Sequence, residues 1–310
     1  AAELDGEVAS LKPEQLKDKP DIILITVDTL RADHLRAYGY DRPTSPWLDR
    51  MAKEGVLFEH AFGGSSWTVP SMATIFTGLY PFQHGVDRGL VQRGEVTRQP
   101  ALGPEHQTLA EQLKAAGYTT YGVATNTHLT KQLGFAQGFD HFEHQGYAPA
   151  SDIYDVVSNW ATELQSSRPY FLWLHFFDPH DKYLPRRPWV EDFDIMAAAE
   201  LPELAAQSAL ERDRRLREWS TKVMTTLRRS EETKEPAVVS TLKTLYDSEV
   251  RYTDRWIRKT MEMIDPGPDT VVVFTSDHGE EFREHGDLGH RTTLYNEQTR
   301  IPLVIRAPGR

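Results

Sequence analysis

The chain has 310 residues, 39% hydrophobic and 26% charged, which is enough for a sizeable core in about one or two domains. Its 46 acidic against 35 basic residues leave a formal net charge of −11, which argues against a nucleic-acid surface. Cysteine is absent, so disulfides, thiolate metal sites and a Cys nucleophile are excluded, and no apolar run approaches the ~20 residues that span a bilayer.

Residues 1–20, AAELDGEVASLKPEQLKDKP, lack the basic and apolar regions of a signal peptide and read as an N-terminal extension. DIILITVD (21–28) is short, apolar and β-branched, as a buried strand is. SPWLDRMAKEG (45–55) has helical spacing. SSWTVPSMATIFTG (65–78) then runs from a polar cluster through a proline into an apolar helix that ends on glycine. QTLAEQLKAAG (107–117) is helical, and TTYGVAT (119–125) and YFLWLHFF (170–177) are strands. Residues 196–235 are charged, Ala-rich and without a strand. They read as a helical insertion, at about 190–236, that is either part of a lid near the site or a solvated surface pair. A helix at 238–264 follows, then strands TVVVFTSD (270–277) and PLVIRA (302–307). Strands alternating with helices predict βαβ crossovers and an α/β sandwich on a parallel sheet, with residues 21–310 as its domain. The sequence stops at RAPGR directly after a strand, so a C-terminal part of the fold is expected beyond it.

In open α/β sheets, ligands bind outside the carboxyl ends of the strands. The first polar residues past each strand are Asp28, then Asn126 and His128, then Asp178, His180, Asp181 and Lys182, then Asp277, His278, His285 and His290. A lone Asp at a strand end is more often a cap or turn residue. Adjacent Asp277 and His278, with Asp28 from another strand, form a first shell for a divalent cation. Zn or Mn suits that donor set best, and Mg or Ca is compatible with it. Thr68 stands just before Pro70 at a helix mouth, where open N–H groups attract anions. It can cap the helix, or it can bind the metal as an alkoxide and attack a phosphorus or sulfur centre. Trp67 and Arg88 are candidate pocket-lining residues. His34, His60 and His175 read as structural, His84 as fixing a turn, and His285 as a loop residue.

These segments resemble the sulfatases and their relatives in the alkaline phosphatase superfamily. DIILITVDTLRADHLRAYGY is similar to the family's opening strand with its metal-binding Asp, and SWTVPSMATIFTGLYP to its signature segment. GYTTYGVATNTHL places His128 on a family histidine. FLWLHFFDPHDKYLP places His180 on a catalytic one, and VVVFTSDHGEEFREHGDLGHRTTLYNEQTRIPLVI is similar to the late metal segment. The resemblance runs from about residue 20 to 310 and implies an alkaline phosphatase-like three-layer α/β/α sandwich with a mainly parallel sheet.

The departures carry information. Thr68 replaces the Cys or Ser that the family matures to formylglycine, so no formylglycine can form here. Met72 replaces an Arg, Thr29 the second Asp of a pair, Asn126 a Lys, and His290 the late Lys. A Thr nucleophile with a small Asp/Thr/Asp/His shell resembles the phosphoryl-handling branches of the superfamily. The implied activity is metal-dependent hydrolysis of phosphate or sulfate esters, with phosphodiesters or phosphonates favoured. Metal would be held by Asp28, Thr68, Asp277 and His278, and catalysis carried by Thr68, His128, His180 and His290. Asn126, Lys182 and Trp67 would meet an anionic ester that is small or linked to glycan or lipid. The alternatives are an envelope transferase of phosphoethanolamine or glycerol phosphate, and a non-catalytic binding protein. A periplasmic or extracellular location is expected.

Overall fold

Strand β1 (Ile22–Val27) lies in the interior of a seven-stranded sheet, with every residue after the first buried. A strand covered on both faces has no solvated side, which is why IILITV shows no polar alternation. The computed structural model describes residues 19–86, 91–93, 96–98, 101–193 and 208–307. The first eighteen residues of the expected N-terminal extension, and Arg88, lie outside them.

Strands β2 (Val56–Phe62), β3 (Thr119–Ala124), β4 (His141–His144), β5 (Tyr170–Phe176), β6 (Val271–Ser276) and β7 (Arg300–Arg306) complete the sheet in the order β2-β7-β6-β1-β5-β3-β4. From β6 to β4 all pairings are parallel. The last strand departs from expectation: β7 pairs antiparallel with both β6 and β2. Two edge strands, β2 and β4, were not expected from the sequence.

Six longer helices cover the sheet: α1 (Pro46–Glu54), α2 (Thr68–Thr77), α3 (Leu109–Ala115), α4 (Ala150–Ser166), α5 (Ala209–Lys222) and α6 (Pro236–Ile264). Alternation along β1 and β5 divides the core between the two faces. Ile23, Ile25, Leu172, Leu174 and Phe176 pack with α4 and α6, while Leu24, Phe171 and Trp173 pack with Val69, Met72, Ala73 and Phe76 of α2. Met72 is fully buried in that second layer, so the position where the family has an Arg is a core position here.

Within the expected insertion, residues 194–207 lie outside the description. The rest holds α5, a π-helical turn (Val223–Leu227) and a 3₁₀ turn (Glu231–Lys234). Its far end docks on the loop that leads to His290. Arg228 donates to the carbonyls of Leu288 and His290, and Arg283 returns a bond to the Arg228 carbonyl at 2.6 Å. No helix of the described residues is long and apolar enough to cross a membrane.

Candidate functional site

β1 and β6 are parallel neighbours with Val27 opposite Ser276, so the residues that follow them, Asp28 and Asp277, emerge side by side. His278 comes with Asp277, and one ligand atom from each of the three residues falls within 4.8 Å of the others. His278 Nε2 lies 3.5 Å from Asp28 Oδ1 and 3.5 Å from Asp277 Oδ2, and all three side chains are fully buried. His278 Nδ1 is 2.9 Å from the Gly279 carbonyl, which can only accept. The proton therefore sits on Nδ1, and Nε2 turns its lone pair to the centre.

Asp28 Oδ1 and Asp277 Oδ2 have no hydrogen-bond partner. Two buried carboxylates cannot both stay ionised without a counter-charge. Burial and the Asp28 charge push the Asp277 carboxyl up to about 8. Burial would also raise Asp28, but His180, His175 and His278 around it carry it well below the usual carboxylate range. Orphaned oxygens opposite an imidazole lone pair are the donor set of a divalent cation, so these residues fit the metal that the sequence predicts. Thr29 supports the pair by donating its N–H to Asp277 Oδ1 at 3.2 Å. It does so with φ at +54°, a conformation unfavourable for a β-branched residue.

Thr68 is brought to the same centre, though not as a cap. Trp67 is the N-cap of α2, no side chain caps the helix, and Thr68 is its first residue. Its hydroxyl lies 3.5 Å from Asp28 Oδ2 and 3.3 Å from His278 Nε2. The N–H groups of Thr68 and Val69 open the helix and have no intrahelical partner. Hydroxyl and helix-end donors thus converge next to the ligand cluster.

Asn126 was expected to face substrate, but its amide is engaged within the site. Nδ2 donates to Asp28 Oδ2 at 2.5 Å and lies 3.4 Å from Thr68 Oγ1, while Oδ1 accepts the His128 N–H at 2.8 Å. It fixes the carboxylate that would hold metal. Asn126→Ala is expected to weaken metal affinity about 10–100-fold, as loss of such an orienting partner does, and metal titration followed by calorimetry reads this directly.

The histidines differ in charge. His180 Nδ1 lies 2.6 Å from Asp181 Oδ1 and 2.9 Å from the Asp181 carbonyl, both acceptors, so it carries a proton. Burial works against its cationic form, but the Asp28 and Asp181 charges outweigh burial and lift it to about 10. It is an imidazolium at neutral pH. His290 holds Glu280 Oε1 at 2.9 Å, with its ring 4.6 Å from His278 and 4.9 Å from His180. Burial and those two neighbours push it well below the ordinary value, so it is neutral. His128 is also lowered, by burial and by the charge of Arg291, and its ring meets Trp67 edge-on at 6.4 Å.

Lys182 is exposed, and no hydrogen bond or ion pair joins it to the site among the described residues. Asp178 is structural, held by Arg186 at 2.5 Å and by the Ala150 N–H at 2.6 Å. His34 binds Asp247 at 2.7 Å, His84 binds the Val86 N–H at 3.1 Å, His285 binds Glu297 at 3.1 Å, and His60 is exposed on β2. His34 thus has a partner of the kind a structural histidine has, His84 sits in its turn and His285 in its loop, whereas His60, expected to be structural, faces solvent.

Two residues escaped the strand-end search. His175 is fully buried within β5, with Nδ1 2.8 Å from Thr26 Oγ1 and Nε2 3.5 Å from Asp28 Oδ2. The signal lay in sheet parity, because Thr26, Asp28, Trp173 and His175 share one face and Thr26 pairs with His175. Arg291 follows His290 and stands over Trp67, its guanidinium carbon 5.0 Å from the ring centre.

A family model described as Sulfatase matches residues 20–310. The chain is 23% identical over 386 aligned residues to N-acetylglucosamine-6-O-sulfatase of Bacteroides thetaiotaomicron, covering 97% of this chain and 65% of that protein. It therefore spans slightly less than two thirds of that relative's length. The solved phosphonate monoester hydrolase of Agrobacterium radiobacter shares the fold with a TM-score of 0.65 at 20% identity, over 94% of this chain and 68% of that one. The C-terminal periplasmic domain of EcEptC from Escherichia coli, solved in complex with Zn, gives 0.62 at 18% identity over 94% and 73%.

Proposed function

Since the chain belongs to the sulfatase family of the alkaline phosphatase superfamily, we propose that it is a metal-dependent ester hydrolase with Thr68 as nucleophile, acting on phosphodiesters or phosphonates in preference to sulfate esters. The supporting observation is the Thr68 hydroxyl, set at the open start of α2 and 3.3 Å from the His278 nitrogen that faces the carboxylate pair. Asp28, Asp277, His278 and the Thr68 oxygen would hold Zn or Mn, which supplies positive charge that makes the hydroxyl acidic and offsets the ester's negative oxygens.

The chain's own groups complete a double displacement. Thr68 Oγ1 loses its proton to solvent and bonds to phosphorus as the bond to the leaving oxygen breaks. His180, protonated and anchored through Nδ1 by Asp181, gives its other proton to that oxygen. The open N–H groups of Thr68 and Val69 bind the equatorial oxygens. Water then attacks the phosphothreonine as neutral His180 takes the water's proton, the bond from phosphorus to Thr68 Oγ1 breaks, and that oxygen recovers a proton from solvent. Because a Thr carries no aldehyde hydrate, release needs this second attack at the central atom, which favours phosphorus. A location outside the cytoplasm fits this reading, since the EcEptC domain of the same fold is periplasmic.

A panel tests the preference: metal-loaded protein with bis(4-nitrophenyl) phosphate, 4-nitrophenyl phenylphosphonate, 4-nitrophenyl phosphate, 4-nitrophenyl sulfate and N-acetylglucosamine 6-sulfate. The expected result is kcat/KM on the diester or phosphonate about tenfold or more above either sulfate. A higher value on a sulfate reverses the preference, and no turnover on any ester leaves a binding protein.

A further inference from the structure

Arg251, Arg255 and Arg258 follow one another at helical spacing along one stripe of α6, and Arg50 of α1 lines the same cavity. Trp47 of α1 and Trp189, from the short helix Trp189–Asp192, add apolar walls to it, and its volume is about 500 Å³. Small-molecule sites span roughly 300–1,000 Å³. The cavity is separate from the metal cluster, because α6 covers the face of the sheet opposite α2, whose first residue is Thr68.

Four guanidiniums in one cavity run against a chain of net charge −11. Like charges three and four residues apart repel and cost helix stability. Arg251 registers that repulsion: burial is the main influence lowering its pKa, and the charges of Arg258 and Arg255 add to it, against those of Asp254 and Asp192. Carboxylates offset only part of the charge. Asp254 is turned to the start of α1, where it accepts from the Trp47 N–H at 3.1 Å and the Leu48 N–H at 3.0 Å, with Arg251 3.5 Å away. Arg258 has Glu262 at 3.6 Å. Arg50 and Arg255 are exposed and have no hydrogen bond or ion pair among the described residues. Arg255 stands over the Trp189 indole, its guanidinium carbon 5.7 Å from the ring centre, which steadies the group and leaves its N–H fork open.

We propose that this cavity is a second binding site, for a small organic molecule that carries two tetrahedral oxyanion groups, phosphate or sulfate. Two open forks on two helices match two such groups, since a guanidinium meets their oxygens in two-pronged fashion. The indole walls suit an organic body such as a sugar ring, and a bare inorganic anion would leave them uncovered.

The test is calorimetric titration of metal-loaded protein whose reaction centre is filled with excess phenylphosphonate. The probes are fructose 1,6-bisphosphate, glucosamine 2-N,6-O-disulfate and, with a single anionic group, fructose 6-phosphate. Wild type is expected to bind a two-group probe about tenfold more tightly than fructose 6-phosphate, the yield of one added charge-assisted contact. Whichever of the bisphosphate and the disulfate ranks first names the group. Arg50→Gln and Arg255→Gln place a good helix former at an exposed position, so folding is not put at risk. Each is expected to weaken that probe about tenfold, to the level of fructose 6-phosphate. Lys259→Gln removes a neighbouring cation of α6 that lies outside the cavity, over Trp256, and is expected to leave affinity within about twofold. The proposal is overturned if neither two-group probe binds more tightly than fructose 6-phosphate, or if the tighter binding survives both arginine variants. A loss in Lys259→Gln equal to that in Arg255→Gln overturns it as well, since it would describe a merely basic surface.

Discussion

Replacing Thr68 with alanine is expected to lower kcat/KM on the best ester by about 10⁴-fold or more, the scale on which loss of a nucleophile acts. The Thr68 hydroxyl faces the ligand cluster, whereas the Ser71 hydroxyl in the same first turn donates to the Ser65 carbonyl and the backbone N–H groups bind but do not attack. Stability is expected to move by less than about 1 kcal/mol, because Trp67 rather than Thr68 is the N-cap and no capping bond is lost. Thr68→Ser keeps the oxygen and is expected to fall between wild type and Thr68→Ala. Acid-quenched wild type under turnover is expected to carry a phosphoryl group on the peptide containing Thr68, detectable by mass spectrometry. Activity that survives Thr68→Ala unchanged, or an adduct on another residue, would remove Thr68 from the mechanism. A loss of several kcal/mol in that variant would show instead that the hydroxyl is structural.

The sequence located the central strands to within two residues because each is apolar on both faces. The edge strands escaped for the same reason in reverse. VLFEHAF of β2 is mostly exposed and places Glu59 and His60 among its apolar residues, and HFEH of β4 is only four residues long. Strand direction was also illegible: an apolar run such as IPLVIR reads the same in a parallel or antiparallel ladder, so β7 was taken as parallel. At the site, searching past strand ends found Asp28, Asn126, His128, His180, Asp277 and His278. It missed His175, which lies inside a strand, and Arg291, whose left-handed backbone angle no residue pattern encodes. The cap expected of Thr68 failed on local chemistry. A capping side chain accepts from the N–H of the second or third helical residue. Pro70 has no N–H to give, and the hydroxyl turns to Asp28 and His278 instead.

Removing divalent metal with a chelator is expected to abolish turnover and to lower Tm by about 4 °C when measured against protein holding metal at roughly a hundred times its Kd. The cause is the carboxylate pair. Without a cation, Asp28 and Asp277 face each other with orphaned oxygens, and Asp277 keeps its proton up to about 8 against an ordinary value of 3.8. A carboxyl raised in the folded state binds its proton more tightly there than in the unfolded chain. Its contribution to stability is therefore full below about 4 and lost as pH rises through about 8. The metal-free protein is expected to lose stability across that window, whereas bound metal keeps Asp277 ionised and compensated, so the metal-loaded protein does not follow it. The Tm gap between the two forms should widen from pH 5 to pH 8, and metal binding should release protons over the same range. Asp277→Asn is expected to flatten the pH dependence of the metal-free protein and to abolish the response to added Zn or Mn. Identical melting curves with and without metal at every pH would dispose of the site, because a cation bound by Asp28, Asp277 and His278 in the folded state alone must stabilise it by mass action.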